Sequence, residues 1–187
     1  KDASQYIRTF DLSPGGDKVV FGARGDVFTV PAGKGITRNI TATPDVHERE
    51  VTWSPDGKYI AYLSDKSGEF EIYIQSQDPA QQPIQLTKGA DTYKFQIKWS
   101  PDSKKILWTD RKFRLQYVDI ETKEVHLVTQ SDIWYIQSYS WSVSYTHLRA
   151  HETPEHLVCR ILLEKKKTKT HNKGRYKSHN TWSTHPL

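Results

Sequence analysis

Short runs in which large apolar and polar positions alternate recur along the first 142 residues, each running into a tight polar turn. Three such frames are FDLSPGGDKVVF from Phe10, VTWSPDGKYIAY from Val51 and IKWSPDSKKILW from Ile97. Their Ser-Pro pairs, at Ser13, Ser54 and Ser100, are spaced by 41 and 46 residues. A fourth frame opens at Tyr139-Ser140-Trp141-Ser142, with Ser142 lying 42 residues after Ser100. Period-two alternation with Leu12, Trp53, Trp99 and Trp141 on the apolar side predicts a half-buried strand before each turn. In the turn, Ser can cap locally, Pro presets φ, and Asp and Gly accept the closing geometry.

The pattern continues in the same order within every unit. Second strands are predicted at 18–23, 58–63 and 104–109, where Val, Ile, Tyr and Trp favour extended backbone. Third strands follow at DVFTVP, FEIYIQ and FRLQYVDI, and short fourth strands at ITRNIT, PIQLT and VHLVT. Four strands per repeat, at a period of about 40–45 residues, is the signature of propeller blades. The predicted fold is therefore all-β, a partial β-propeller of about three and a third four-stranded blades. Blade limits fall near 7–47, 48–93 and 94–136, with the next blade starting at 137.

Charge changes the picture only once it is located. The net of +5 divides into −1 for residues 1–142 and +6 for residues 143–187. Six of the eight histidines and the one cysteine, Cys159, also fall in the second part. The repeat region is thus near neutral, which gives no footprint for nucleic acid. No apolar run approaches the ~18 residues of a membrane span. Neither a nucleic acid nor a membrane is expected as partner. The chain opens on Lys1-Asp2-Ala3 with no signal-peptide pattern and contains no Met, and is expected to be an internal piece of something longer.

Candidate chemistry in the repeats gives way to structural roles. Arg24-Gly25-Asp26 spells an adhesion tripeptide but stands where a hairpin turn is needed. Trp53, Trp99, Trp108 and Trp141 could stack sugars or bases, yet recurrence at the repeat period places them in inter-blade core. Asp56, Asp65, Asp102 and Asp110 lack the dense acidic spacing of a calcium loop and are expected to cap turns. Lys94, Lys98, Lys104, Lys105, Arg111, Lys112 and Arg114 make the third unit locally basic, a solvated rim or a surface facing acidic peptide termini. His47 and His126 have no nucleophile at motif spacing, so no catalytic triad is assigned. The expected tally is no catalytic, cofactor-binding or metal-binding residue.

WSPDGKYIAYLSDKSGEFEIYI followed by PIQLT resembles the blade repeat shared by TolB-type and tricorn-type propellers. FDLSPGGDKVVFGARGDVFTVPAGKGITRNIT, and LQYVDIETKEVHLV followed by YSWS, are similar to the propeller region of tricorn protease and its bacterial relatives. The resemblance covers residues 5–142 or so. It implies a non-catalytic segment of a modular serine peptidase, in which propellers guide or gate peptides toward a catalytic core absent from these residues. Partners would be peptides or other domains of the parent, itself compatible with a homo-oligomer. The cytoplasm is the implied compartment, with the periplasm as alternative. A TolB-like binding scaffold, or the propeller of a prolyl-oligopeptidase-type hydrolase, are the other readings.

Residues 143–187 break the repeat. His147, His151, His156 and Cys159 taken alone would suggest zinc. Yet Ser142 stops short of its Pro-Asp turn, and repeat arrays end in a capping unit, not in mid-turn. VSYTHLRAHET resembles an in-frame translation of a transposase-based sequencing adapter, and LVCRILLEKKK resembles the flow-cell end of the same adapter. Room for a sample index lies between them. The tail is accordingly expected to be adapter-derived, non-native and disordered, and not a domain.

Overall fold

The computed structural model describes residues 4–78, 80–131, 138–141, 147–151 and 158–162. The first unit contains β1 (Ile7–Leu12), β2 (Lys18–Ala23), β3 (Asp26–Pro31) and β4 (Arg38–Asn39). The second contains β5 (Glu48–Trp53), β6 (Tyr59–Ser64), β7 (Glu71–Ser76) and β8 (Ile84–Gln85). The third contains β9 (Lys94–Trp99), β10 (Lys105–Asp110), β11 (Arg114–Asp119) and β12 (Val125–Gln130). Each is a four-stranded antiparallel meander whose spatial order follows the chain. The first strands β1, β5 and β9 lie side by side, so the sheets stack as successive blades.

The recurring turn is built as its residues require. Ser54 Oγ donates to Asp56 Oδ1 at 2.7 Å and accepts from the Tyr59 N–H at 2.9 Å. Ser100 does the same with Asp102 (2.6 Å) and Lys105 (2.8 Å). Ser13 reaches Asp17 instead (2.7 Å), since Gly15-Gly16 displaces the carboxylate along the chain. Burial of all three seryl side chains is tolerable because every hydroxyl is partnered. Gly57 closes its turn at φ +72°, a left-handed conformation natural to glycine; Ser103 holds the equivalent place at +59°.

The blades are joined by two faces of alternating side chains. Val20 and Val27 of the first blade pack on Val51, Trp53, Ile60, Tyr62 and Tyr73 of the second. The opposite face of the second blade, with Leu63, Ile72 and Ile74, packs on Ile97, Trp99, Ile106 and Trp108 of the third. By the same register, Phe10 and Leu12 should pack on a blade before them. They are 71% and 56% exposed, where their counterparts Val51 and Trp53 are 5% and 4% exposed. Such an open apolar face favours association. Residues 1–142 are therefore expected to self-associate in sedimentation, and Phe10→Lys with Leu12→Glu to restore monomers. A wild-type segment that stays monomeric and melts reversibly would contradict this.

Beyond the third blade, β13 (Ser138–Trp141), β14 (His147–His151) and β15 (Val158–Leu162) pair antiparallel in a three-stranded sheet. The edge of β13 offers unpaired N–H and C=O groups to any extended segment, and Val158–Leu162 is rich in strand formers. His156 and residues 168–187 lie outside the described residues.

Candidate functional site

A concavity that combines charged and aromatic groups lies between the first two blades, with a volume of about 540 Å³. Three elements build it: the entry to β1 (Tyr6, Arg8, Thr9), the β2–β3 turn (Arg24-Gly25) and the entry to β5 (His47 to Glu50). The turn is a two-residue hairpin with φ of +57° at Arg24 and +92° at Gly25, flanked by the Ala23–Asp26 pair. Gly25 is required there. Its carbonyl accepts the Glu48 N–H at 2.7 Å, and a Cβ would meet the Val46 carbonyl at 3.3 Å. The adhesion-like tripeptide is thus an ordinary turn, with the Arg24 guanidinium 4.2 Å from the centre of the Tyr6 ring.

Glu48 is the unusual group. It is 4% exposed, and Thr43 Oγ1 (2.8 Å) and Ser64 Oγ (3.4 Å) both donate to its Oε1. Oε2 has no hydrogen-bond partner among the described residues. Burial pushes the carboxyl above the ordinary carboxylate range; nearby Asp26 pushes the same way, while the hydroxyl bonds oppose it. Glu50, on a bulge at φ +55°, is also raised by burial, against an opposing bond from the Gln96 N–H. For Glu48, the folded state holds its proton to higher pH than the unfolded state does. Stability contributed by the protonated form is therefore lost as pH rises from about 4.5 through the raised value. Glu48→Gln is expected to flatten the melting-temperature profile over that window; an unchanged profile would show that the carboxyl titrates normally.

The other candidates fall as follows. Trp53, Trp99 and Trp108 are buried in the inter-blade clusters, and Trp141 is half-buried against Leu107, Leu115, Tyr117 and Tyr139. The indole N–H of Trp99 donates to the Thr52 carbonyl and that of Trp141 to the Lys98 carbonyl, both at 3.4 Å. Each tryptophan thereby grips the strand of the preceding blade. Asp56 and Asp102 cap their turns; Asp65 accepts the His47 N–H at 2.8 Å, and Asp110 accepts from Lys112 and Arg114. His47 meets the Phe70 ring edge-on, while His126 stacks on Tyr117 at 4.8 Å, one blade further on.

A single basic rim on the third blade is not what forms. Lys104-Lys105 and Arg111-Lys112 stand at opposite ends of β10, separated by a strand length of roughly 17–20 Å. Several of these cations are already partnered. Lys94 meets Glu71 at 2.8 Å, Lys112 meets Asp91 at 2.7 Å, and Arg114 joins Asp91 and Asp110. The two bonded cations hold the Asp91 carboxyl well below the usual range. Sequence spacing placed these residues together because it does not show which end of a strand each occupies.

What sequence reasoning missed is the cavity itself. Its one legible signal was hairpin length: the first blade has two residues between β2 and β3, whereas the second has six, Asp65 to Phe70, between β6 and β7.

Comparison with known proteins agrees with this architecture. The structure of tricorn protease superposes with a TM-score of 0.68 at 15% identity, covering 84% of this chain and 15% of that one. A TolB protein from Agrobacterium tumefaciens gives 0.64 at 19%, covering 77% and 53%, and TolB from Acinetobacter baumannii gives 0.61 at 18%, covering 80% and 38%. The chain thus spans about half the length of the Agrobacterium protein. At these identities the likeness establishes the propeller fold. No curated protein matches. A family model described as the tricorn protease second beta propeller domain matches residues 7–170, most of the chain. The chain belongs to the tricorn protease second β-propeller domain family.

Proposed function

We propose that this propeller is a non-catalytic segment of a tricorn-like serine peptidase, where it guides or gates peptides on their way to a catalytic core outside these residues. The observation that carries the reading is the family match over residues 7–170. The fold fits the role: first strands side by side present Gln96 and Lys98, both exposed, along the line that a peptide passing the inner strands would follow. By the same resemblance we place the parent in the cytoplasm, with the periplasm as alternative. We also propose that residues 143–187 are translated adapter sequence, although the family match runs on to residue 170; that origin would remove any selected role for His147, His151, His156 and Cys159.

The test uses the intact parent. Gln96→Glu with Lys98→Glu reverses the charge along the inner strands, and a guiding propeller would then change kcat/KM for a long peptide by about tenfold or more. A short chromogenic peptide, which need not be guided, should change far less. Equal effects on both substrates would sink the guiding role. The likeness to TolB supports a second reading, a pure protein-binding scaffold. An intact parent with no peptidase activity would favour it.

A further inference from the structure

The cavity between the first two blades has an occupied counterpart one blade further on. At the repeat spacing of 41, Tyr6 and Arg8 correspond to His47 and Arg49; at 46, His47 and Glu48 correspond to Tyr93 and Lys94. In the second blade the longer hairpin delivers Phe70 into the space framed by this set. The Phe70 ring lies 4.9 Å below the Arg49 guanidinium, meets His47 edge-on at 6.3 Å and packs tilted against Tyr93 at 5.2 Å. Its carbonyl accepts from Lys94 Nζ at 3.1 Å. Phe70 is buried.

In the first blade the hairpin is four residues shorter and supplies no ring. The framing residues are nevertheless present: Tyr6, Arg8 and His47 line the cavity of about 540 Å³. That volume lies within the ~300–1,000 Å³ of small-ligand sites. The polar group changes sign. Where Lys94 donates to a carbonyl, the first junction has Glu48, whose buried Oε2 is without a partner among the described residues. A buried carboxylate oxygen left in that condition is costly, and a donor or cation satisfies it.

We propose that this cavity binds an aromatic residue bearing a free amine, namely the N-terminal Phe or Tyr of a peptide. The ring takes the place of Phe70, between Tyr6 and His47 and beneath Arg8. The α-ammonium faces the carboxyl of Glu48, which lines the cavity. Arg24, held on the Tyr6 ring by the neighbouring turn, closes the outer side. The site goes beyond the guiding role and does not depend on a peptidase core, because binding is read on this chain alone.

The test is calorimetric titration of the full chain with the tripeptide amide Phe-Gly-Gly-NH2, its N-acetylated form and Gly-Gly-Gly-NH2. The free-amine Phe peptide should bind, and acetylation should weaken it about tenfold or more, the worth of a hydrogen bond to a charged group. The glycine peptide should not bind measurably. Replacing Arg24-Gly25 with the six residues Asp65–Phe70 of the second blade should fill the cavity and abolish binding, with the β-sheet circular dichroism retained. Equal affinity for the acetylated and free peptides, equal affinity for the glycine peptide, or no heat with any of them would overturn the proposal. The peptide comparison needs no variant, so it stands even if the grafted hairpin fails to fold.

Discussion

Lys94→Met should be the most damaging single substitution in the second interface, costing about 3–5 kcal/mol because it leaves a buried carboxylate without its cation. Lys94 is 7% exposed and Glu71 2% exposed. Lys94 Nζ lies 2.8 Å from Glu71 Oε2, and Thr87 Oγ1 and the Ala90 N–H donate to the same carboxylate at 2.5 and 2.6 Å. The hydrogen bonds would survive the substitution, but the charge would remain. Net stability of a domain is only about 5–15 kcal/mol, so much of the cooperative urea transition should disappear. Adding Glu71→Gln should recover most of the loss, since the two residues act as one unit. A loss below about 1 kcal/mol for Lys94→Met would mean that water reaches the pair and the blades are not closed on each other there.

Trp99→Ala is expected to cost a comparable amount, about 3–5 kcal/mol. The indole fills the junction between the second and third blades alongside Ile97 and Trp108, and its N–H holds the Thr52 carbonyl across the interface. Removing it opens a cavity that flanking strands, pinned by their own ladders, cannot close. Chemical denaturation of the variant separates this role from a stacking platform. A platform residue would lose a sugar or base ligand at little cost in stability, and that result would contradict the packing role.

Much of the fold was legible because each level of sequence pointed the same way. The Ser-Pro turns, the period-two strands and the recurring tryptophans all specify one repeat, and the second strand at 18–23 coincides with β2. Boundaries elsewhere moved by one residue, as at Tyr59–Ser64 and Lys105–Asp110, where the Ser side chain bonds the N–H that opens the strand. The bulges at Glu50 and Gln96, with φ of +55° and +53°, were not legible. Neither residue favours left-handed backbone, so the conformation is imposed by packing of the inner strands. The cavity was hidden for a related reason. It is formed by what the Arg24-Gly25 hairpin omits: the shorter hairpin was legible, but the space it leaves open shows only when two blades are superposed. The supposed basic rim failed because proximity in sequence spanned both ends of a strand.

Amplifying and sequencing the gene from source DNA across the codons for Tyr139 to Lys167 tests the assignment to a tricorn-like parent most directly. Ser142 should run on into a Pro-Asp turn, further blades, and then a PDZ-like and serine-peptidase region. Source DNA that encodes VSYTHLRAHET in place would contradict the adapter origin of the tail, and would return His147, His151, His156 and Cys159 as metal-ligand candidates for zinc titration.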